Sequence, residues 1–224
     1  DELIAGSRVE VSENKNNPLV AGELSDIFTH SGQSKRAIDI LNKSLNLDPK
    51  NSSIHARLAL QHLLTGNILL AEKHNSEAVT LSPNYQMVLH IRSLILMKQN
   101  RNDEIENLLK KAIQNDDKNP VTMMSLGIVY WHSGKKEQSY KLLTELLDRR
   151  NFEYIKGGIL ARFFSVIGDK EKAFKWLRVS REEKDTDFFH MYHWPIFDEV
   201  RSDPEFIKIY KDAGLYKYLT NKEN

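Results

Sequence analysis

Apolar residues fall along this chain in short blocks, such as Leu58 to Leu64 and Leu94 to Met97, broken by polar residues whose punctuation recurs. Pro49 and Pro83 stand 34 residues apart in the matching contexts Leu45-Asn46-Leu47-Asp48-Pro49 and Val79-Thr80-Leu81-Ser82-Pro83. Upstream, Gly32 is followed five residues later by Ala37, and Gly66 five residues later by Ala71; seven residues beyond each alanine lie Ser44 and Ala78. Glycine ends a first helix where a left-handed turn is needed. Small residues let two helices approach closely, and proline stops the second helix. The pattern predicts helix pairs repeating every 34 residues.

The rhythm continues past Pro83. Asn100 replaces the turn glycine and tolerates the same backbone, Ala112 occupies the small site, and Pro120 arrives three residues late. Gly127, Tyr130 and Gly134 restore the spacing, and Gly168 with Ala173 marks a fifth unit. Units of this length, with a Gly-bounded first helix and an Ala-bearing second, resemble tetratricopeptide repeats. The register runs 18–51, 52–85, 86–119 with an insertion, 120–153 and 154–187, with Ile105 and Ser139 standing where alanine is expected. The resemblance implies an all-α fold, a solenoid of about five helix-turn-helix units, more than a stable stack needs.

Residues 1–17 stand outside the repeats: Ser7 to Ser12 alternates like a short strand, and 13–17 reads as a polar linker. The start at Asp1-Glu2-Leu3, without initiator Met or signal-peptide pattern, reads as a piece of a longer protein. Residues 188–224 read as a C-terminal capping segment, which a solenoid needs because its last unit otherwise exposes an apolar face. Asp203-Pro204-Glu205 has the form of N-cap, first helical proline and acidic first turn. Phe206, Ile207 and Tyr210 give that helix an apolar face, and Gly214-Leu215 a stop.

Three runs in this end carry a second resemblance: Ala173-Phe174-Lys175-Trp176-Leu177, Trp194-Pro195-Ile196-Phe197-Asp198-Glu199-Val200-Arg201-Ser202-Asp203-Pro204-Glu205-Phe206, and Gly214-Leu215. Together they are similar to a tail that closes the tetratricopeptide domains of bacterial winged-helix transcription regulators of the membrane-anchored, CadC-like kind. Some adenylate cyclases and serine/threonine kinases carry it too. Val200 and Glu205 depart from that tail's usual Leu and Arg. The resemblance implies the sensory or regulatory end of a larger signalling protein. The truncated start and the strand-like segment favour a periplasmic over a cytoplasmic placement.

Composition narrows the chemistry. Lys+Arg 32 against Asp+Glu 31 leaves a net charge of +1, which argues against direct nucleic-acid binding. Zero cysteine excludes disulfides, thiol catalysis and cysteine-based zinc sites. No apolar run approaches the ~20 residues that insert across a membrane. Phosphate-loop, dinucleotide, zincin and nucleophile-elbow motifs are missing, so no enzyme activity, cofactor or metal is expected. Asp185-Thr186-Asp187 mimics a metal-binding pair, but follows Arg181-Glu182-Glu183-Lys184 and reads as a solvated loop. His190 with His193, and His55 with His62, share helix faces and read as packing or surface residues. Phe163, Phe164, Phe188, Phe189, Trp176 and Trp194 read as core before ligand cage. Lys135, Lys136, Arg149, Arg150 and Lys156 form only a modest basic patch.

In tetratricopeptide stacks the first helix of each unit lines a concave channel, at its second, fifth, ninth, twelfth and thirteenth positions. By that resemblance the second unit offers Leu60 and Leu64 beside Ala56 and Leu63, and the third His90, Leu94 and Met97 beside Met87. The fourth offers Met124, Ile128 and Trp131 beside His132, and the fifth Arg162 and Ser165. Methionine beside an aromatic suits a groove that accepts an amphipathic helix. The first reading is therefore a protein or peptide partner, or an internal helix, held in this groove. A tighter winding that buries the same side chains stands beside it. Two other functions stay open: a small-molecule sensor using His90, His132 and Arg162, and self-association as a homodimer. A chaperone-type carboxylate clamp is excluded, because its positions hold Gly22 and Asp26, Ala56 and Leu60, and His90 and Leu94.

Overall fold

A left-handed residue ends the first helix of every hairpin. The computed structural model describes residues 17–30, 32–115 and 118–216, without the side chains of His30, Asn102, Asn115, Phe189 and His190. The strand reading of 7–12 and the His190 half of a histidine pair therefore lie outside the described residues. Gly32, Gly66, Asn100, Gly134 and Gly168 adopt φ of 72°, 78°, 58°, 75° and 81°. At the second turn the Gly66 amide donates to the Leu63 carbonyl at 3.1 Å and Asn67 to His62 at 2.8 Å. The third turn repeats this with Asn100 to Met97 and Arg101 to Leu96, satisfying carbonyls that a helix end leaves open. Starts are fixed by Asn51, Asn67, Asn119 and Asp169, whose side chains accept the amides of Ile54, Leu70, Val121 and Lys172.

Five helical hairpins follow: α1 (Pro18–His30) with α2 (Ser34–Leu47), α3 (Ser52–Leu64) with α4 (Ile68–Leu81), α5 (Gln86–Lys98) with α6 (Asn102–Asn115), α7 (Pro120–His132) with α8 (Lys136–Arg149), and α9 (Gly157–Val166) with α10 (Lys170–Glu182). The described residues contain no strand. Consecutive first helices pack on one another, α1 on α3, α3 on α5, α5 on α7 and α7 on α9, and so build one continuous inner wall. Burial separates the two layers. From Ile54 to Leu63, α3 is buried at every residue but Arg57, whereas α4 buries only Ala71, Asn75 and Ala78. A helix buried nearly all round must be covered on a second face as well; here the outer helices cover one side and the carboxyl-terminal segment the other.

The small sites behave as close-approach points. Ala37, Ala71 and Ala173 are fully buried. Ile105 and Ser139, which replace alanine, are buried as well, and the Ser139 hydroxyl donates to the Gly127 carbonyl at 2.8 Å. A β-carbon at Gly127 would overlap the Phe163 ring, so α7 and α9 meet there because the position is glycine.

After α10 the chain reverses at Lys184, a left-handed residue with φ 54°. It then forms α11 (Asp187–Met191), a single 3-10 turn (Pro195–Phe197) and α12 (Pro204–Asp212). α11 packs on both α9 and α1, the 3-10 turn packs on α9, and α12 covers α10. The segment thus crosses from the last hairpin to the first before returning to cap the stack. Phe206 and Tyr210 join α12 to Phe174 of α10 and to Phe188, Tyr192 and Phe197 of the crossing segment, with ring centroids 4.8–6.3 Å apart.

Candidate functional site

The channel residues emerge from four inner helices at helical spacing, so each helix turns one face to the concavity. Leu60 on α3, His90 on α5 and Arg162 on α9 line a cleft of about 320 Å³ together with Asp187 and Trp194 of the crossing segment. Leu94 and Met97 on α5 and Ile128 on α7 line a second, of about 250 Å³, with Pro195 and Ile196 on its far side. Leu64 lines a third, of about 800 Å³, opposite Tyr192, His193 and Arg201. Three of the expected residues line none of these clefts. Ala56 and Met124 are fully buried in the core. Trp131 packs T-shaped with the Tyr140 ring, centroids 5.8 Å apart, and lies 4.8 Å from the Lys136 ammonium, both residues of α8.

The concavity is occupied by the chain itself. Trp194 stacks on the His90 ring, centroids 4.9 Å apart and planes 19° from parallel. The Arg162 guanidinium lies 5.1 Å from the indole centre, donates to Asp187 at 3.1 Å and to the Gly158 carbonyl at 3.1 Å, and is buried. Arg201 donates to the carbonyls of Tyr192 and Trp194 at 2.7 and 2.8 Å, and Ser165 to that of Ile196 at 3.2 Å. The segment is therefore bound through its backbone as well as its side chains, which sequence periodicity alone does not reveal.

Asp185 corrects the reading of 185–187 as a solvated loop. Its side chain is fully buried. One carboxylate oxygen accepts the Gly158 amide at 3.1 Å and the Ser180 hydroxyl at 3.0 Å; the other accepts the Asp187 amide at 2.9 Å. The left-handed turn at Lys184 throws the chain inward, and the carboxylate meets free amides at the start of α9. Glycine at 158 leaves the room: a β-carbon there would lie 2.8 Å from the carboxylate. Lys156 pairs with Asp187 at 3.1 Å and reaches Asp185 at 3.5 Å. Burial works against its charge, but the two aspartates hold its pKa above the ordinary lysine value.

The basic residues of the fourth unit are answered locally: Lys135 by Glu106, Arg149 by Glu153, Arg150 by Glu183. Phe163, Phe164, Phe188 and Trp194 are buried, while Trp176 is partly covered by Arg150. His55 and His62 are buried against His74, the Nδ1 atoms of His55 and His74 lying 3.1 Å apart. Among the described residues no cluster of three or more His, Cys, Asp or Glu is placed to hold a metal ion, and no helix is long and apolar enough to cross a membrane.

Burial holds the imidazoles of His62, His90 and His132 below the ordinary histidine pKa, His90 furthest. Burial and the neighbouring His55, His62 and Lys73 lower His74 to about 4. The unfolded chain then binds more protons than the native one as pH falls below the normal histidine value, so stability is full above about pH 6.5 and declines beneath it. With its partly exposed ring discounted for solvent screening, His74 alone accounts for about 1 kcal/mol between pH 7 and 5. Urea midpoints measured across that interval should fall together; an unchanged midpoint contradicts the assignment.

A family model described as tetratricopeptide repeat matches residues 21–51, the first hairpin. No curated protein matches the chain in sequence. Among solved structures, a tetratricopeptide repeat protein from Parabacteroides merdae superposes with a TM-score of 0.62 at 13% identity, over 98% of this chain and 77% of that one. TTC0263, a thermophilic repeat protein of Thermus thermophilus, gives 0.59 at 18% identity over 79% and 97%. YrrB, described as a TPR protein with an unusual peptide-binding site, gives 0.50 at 11% identity over 83% and 96%. In fold, this chain is a tetratricopeptide-repeat solenoid.

Proposed function

We propose that the chain is a non-catalytic protein-interaction module that takes a peptide-like segment of a partner in its concave channel, where its own residues 185–201 lie. The seat of Trp194 carries this reading. An indole held between His90 and Arg162, with an acidic residue seven positions earlier on the same guanidinium, is a side-chain-plus-backbone mode of peptide recognition. The described peptide site of YrrB, on the same fold, supports it. The partner segment then carries an aromatic anchor and an upstream carboxylate, and it competes with the chain's own segment. The likeness of the tail to that of bacterial winged-helix regulators supports placing this competition at the regulatory end of a larger signalling protein.

An intramolecular segment acts at an effective concentration on the order of millimolar, so the native chain should resist a peptide added from outside. A labelled peptide of residues 185–201 is therefore titrated into the native chain and into Trp194→Ala by fluorescence anisotropy. The variant is expected to bind at least ~10-fold more tightly than the native chain. A peptide carrying Trp194→Ala itself should bind neither. Equal affinity for both proteins, or no saturable binding to the variant, overturns the proposal.

A further inference from the structure

At the five hairpin turns glycine or asparagine takes the left-handed backbone, but after α10 the chain reverses on Lys184, at φ 54°. A lysine β-carbon crowds the following carbonyl oxygen there, a strain that glycine escapes. The hinge is short. Only Glu183 and Lys184, both exposed, separate the end of α10 at Glu182 from the buried Asp185. The Lys184 amide donates to the Arg181 carbonyl at 3.1 Å, and at this exposed turn water can replace that partner.

Residues 185–216 form one arm fitted to the stack it covers. Asp185 accepts from Gly158 and Ser180, Asp187 and Trp194 meet Arg162, Ser165 donates to the Ile196 carbonyl, and α12 covers α10. None of these contacts requires that arm and channel belong to the same chain. A second copy offers the same groups in the same places, so arms exchanged between two copies recover each of them. What the exchange changes is the hinge, where Lys184 leaves the left-handed region for extended backbone. A short hinge under strain is the circumstance that favours such an exchange.

We propose that a partner of the channel is a second copy of this chain, the two copies exchanging residues 185–216 to form a symmetric dimer. This names the occupant of the same channel, and so rests on the reading that residues 185–201 hold a partner's place. Exchange has to overcome the ~millimolar effective concentration of the arm in its own channel. Relief at Lys184 is worth about tenfold per hinge and about a hundredfold for two, which sets the dimer dissociation constant at ~10 µM.

The full chain is warmed and slowly cooled at concentrations from ~1 µM to ~1 mM, and its mass is read by size-exclusion chromatography with light scattering. Dimer should grow with concentration through ~10 µM. Lys184→Gly removes the strain from the closed monomer and should weaken the dimer about a hundredfold. Deleting Lys184 leaves too little chain to close the turn and should give dimer throughout the range. Because the chain has no cysteine, Ser165→Cys with Ile196→Cys marks the two sides of one cleft. A short bismaleimide should join them within a chain in the monomer fraction and between chains in the dimer fraction. A chain that is monomeric at ~1 mM with and without the deletion overturns the proposal. A dimer indifferent to Lys184→Gly, or cross-linked only within its chains, overturns it as well. The labelled-peptide experiment fails separately: a monomeric chain can still take the peptide, and arms exchange whether or not residues 185–201 bind as an isolated peptide.

Discussion

Replacing Phe206 with alanine is expected to destabilise the chain by about 4 kcal/mol, within the range for emptying a well-packed aromatic site. Phe206 is fully buried, and its ring lies 5.0 Å from Tyr210, 5.6 Å from Phe197, 5.8 Å from Tyr192 and 6.3 Å from Phe174. Those neighbours belong to three different elements: α12 itself, the crossing segment and α10. The side chain therefore joins the cap to both layers it covers, and removing it forfeits aromatic contacts beyond transferred area. Stability in a repeat array is a sum of unit and interface contributions, so the loss should be felt first in the last hairpin. Urea unfolding followed by circular dichroism should show a lower midpoint and a broadened or two-step transition. Phe206→Leu, which retains most of the volume, should cost about 1–2 kcal/mol. A loss below ~1 kcal/mol for the alanine variant would show that the cap contributes little.

How far the fold could be read from the sequence follows from the range of the forces involved. The turn residues Gly32, Gly66, Asn100, Gly134 and Gly168 act within a few positions of themselves, and all five take the left-handed conformation that their spacing implies. Ala37, Ala71 and Ala173 are equally legible, because close helix approach demands a small side chain wherever the repeat places it. The channel is harder. Periodicity brings Leu60, His90, Leu94, Met97, Ile128 and Arg162 to the concavity but does not say what covers them. Trp131 escapes because its own hairpin offers Tyr140 and Lys136 within reach, a contact that helical phase does not encode. The crossing segment is less legible still. Asp185 stands among charged residues in sequence, yet the amide it accepts, Gly158, is 27 positions away.

That carboxylate makes the second large prediction: Asp185→Ala should cost about 3–4 kcal/mol, comparable to breaking a buried ion pair by removing one partner. Three donors lose their acceptor at once, the Gly158 amide, the Ser180 hydroxyl and the Asp187 amide, while Lys156 keeps Asp187 and the Thr186 hydroxyl. The first is an N-terminal amide of α9, where a negative charge also gains from the helix dipole. Asp185→Asn separates the contributions. It keeps oxygen and shape but brings an N–H where two acceptors faced donors, so a loss of about 2 kcal/mol is expected from the variant that retains the volume. The consequence extends beyond the residue, because Asp185 fixes where the chain enters the channel, and Asp187 and Trp194 can meet Arg162 only from that entry. Hydrogen exchange should therefore quicken in α11 and the 3-10 turn of Asp185→Ala while α3 and α4 stay protected. Equal acceleration in α3 and α4 would mean that the carboxylate supports the whole stack; its confinement to the crossing segment identifies Asp185 as the latch on the channel.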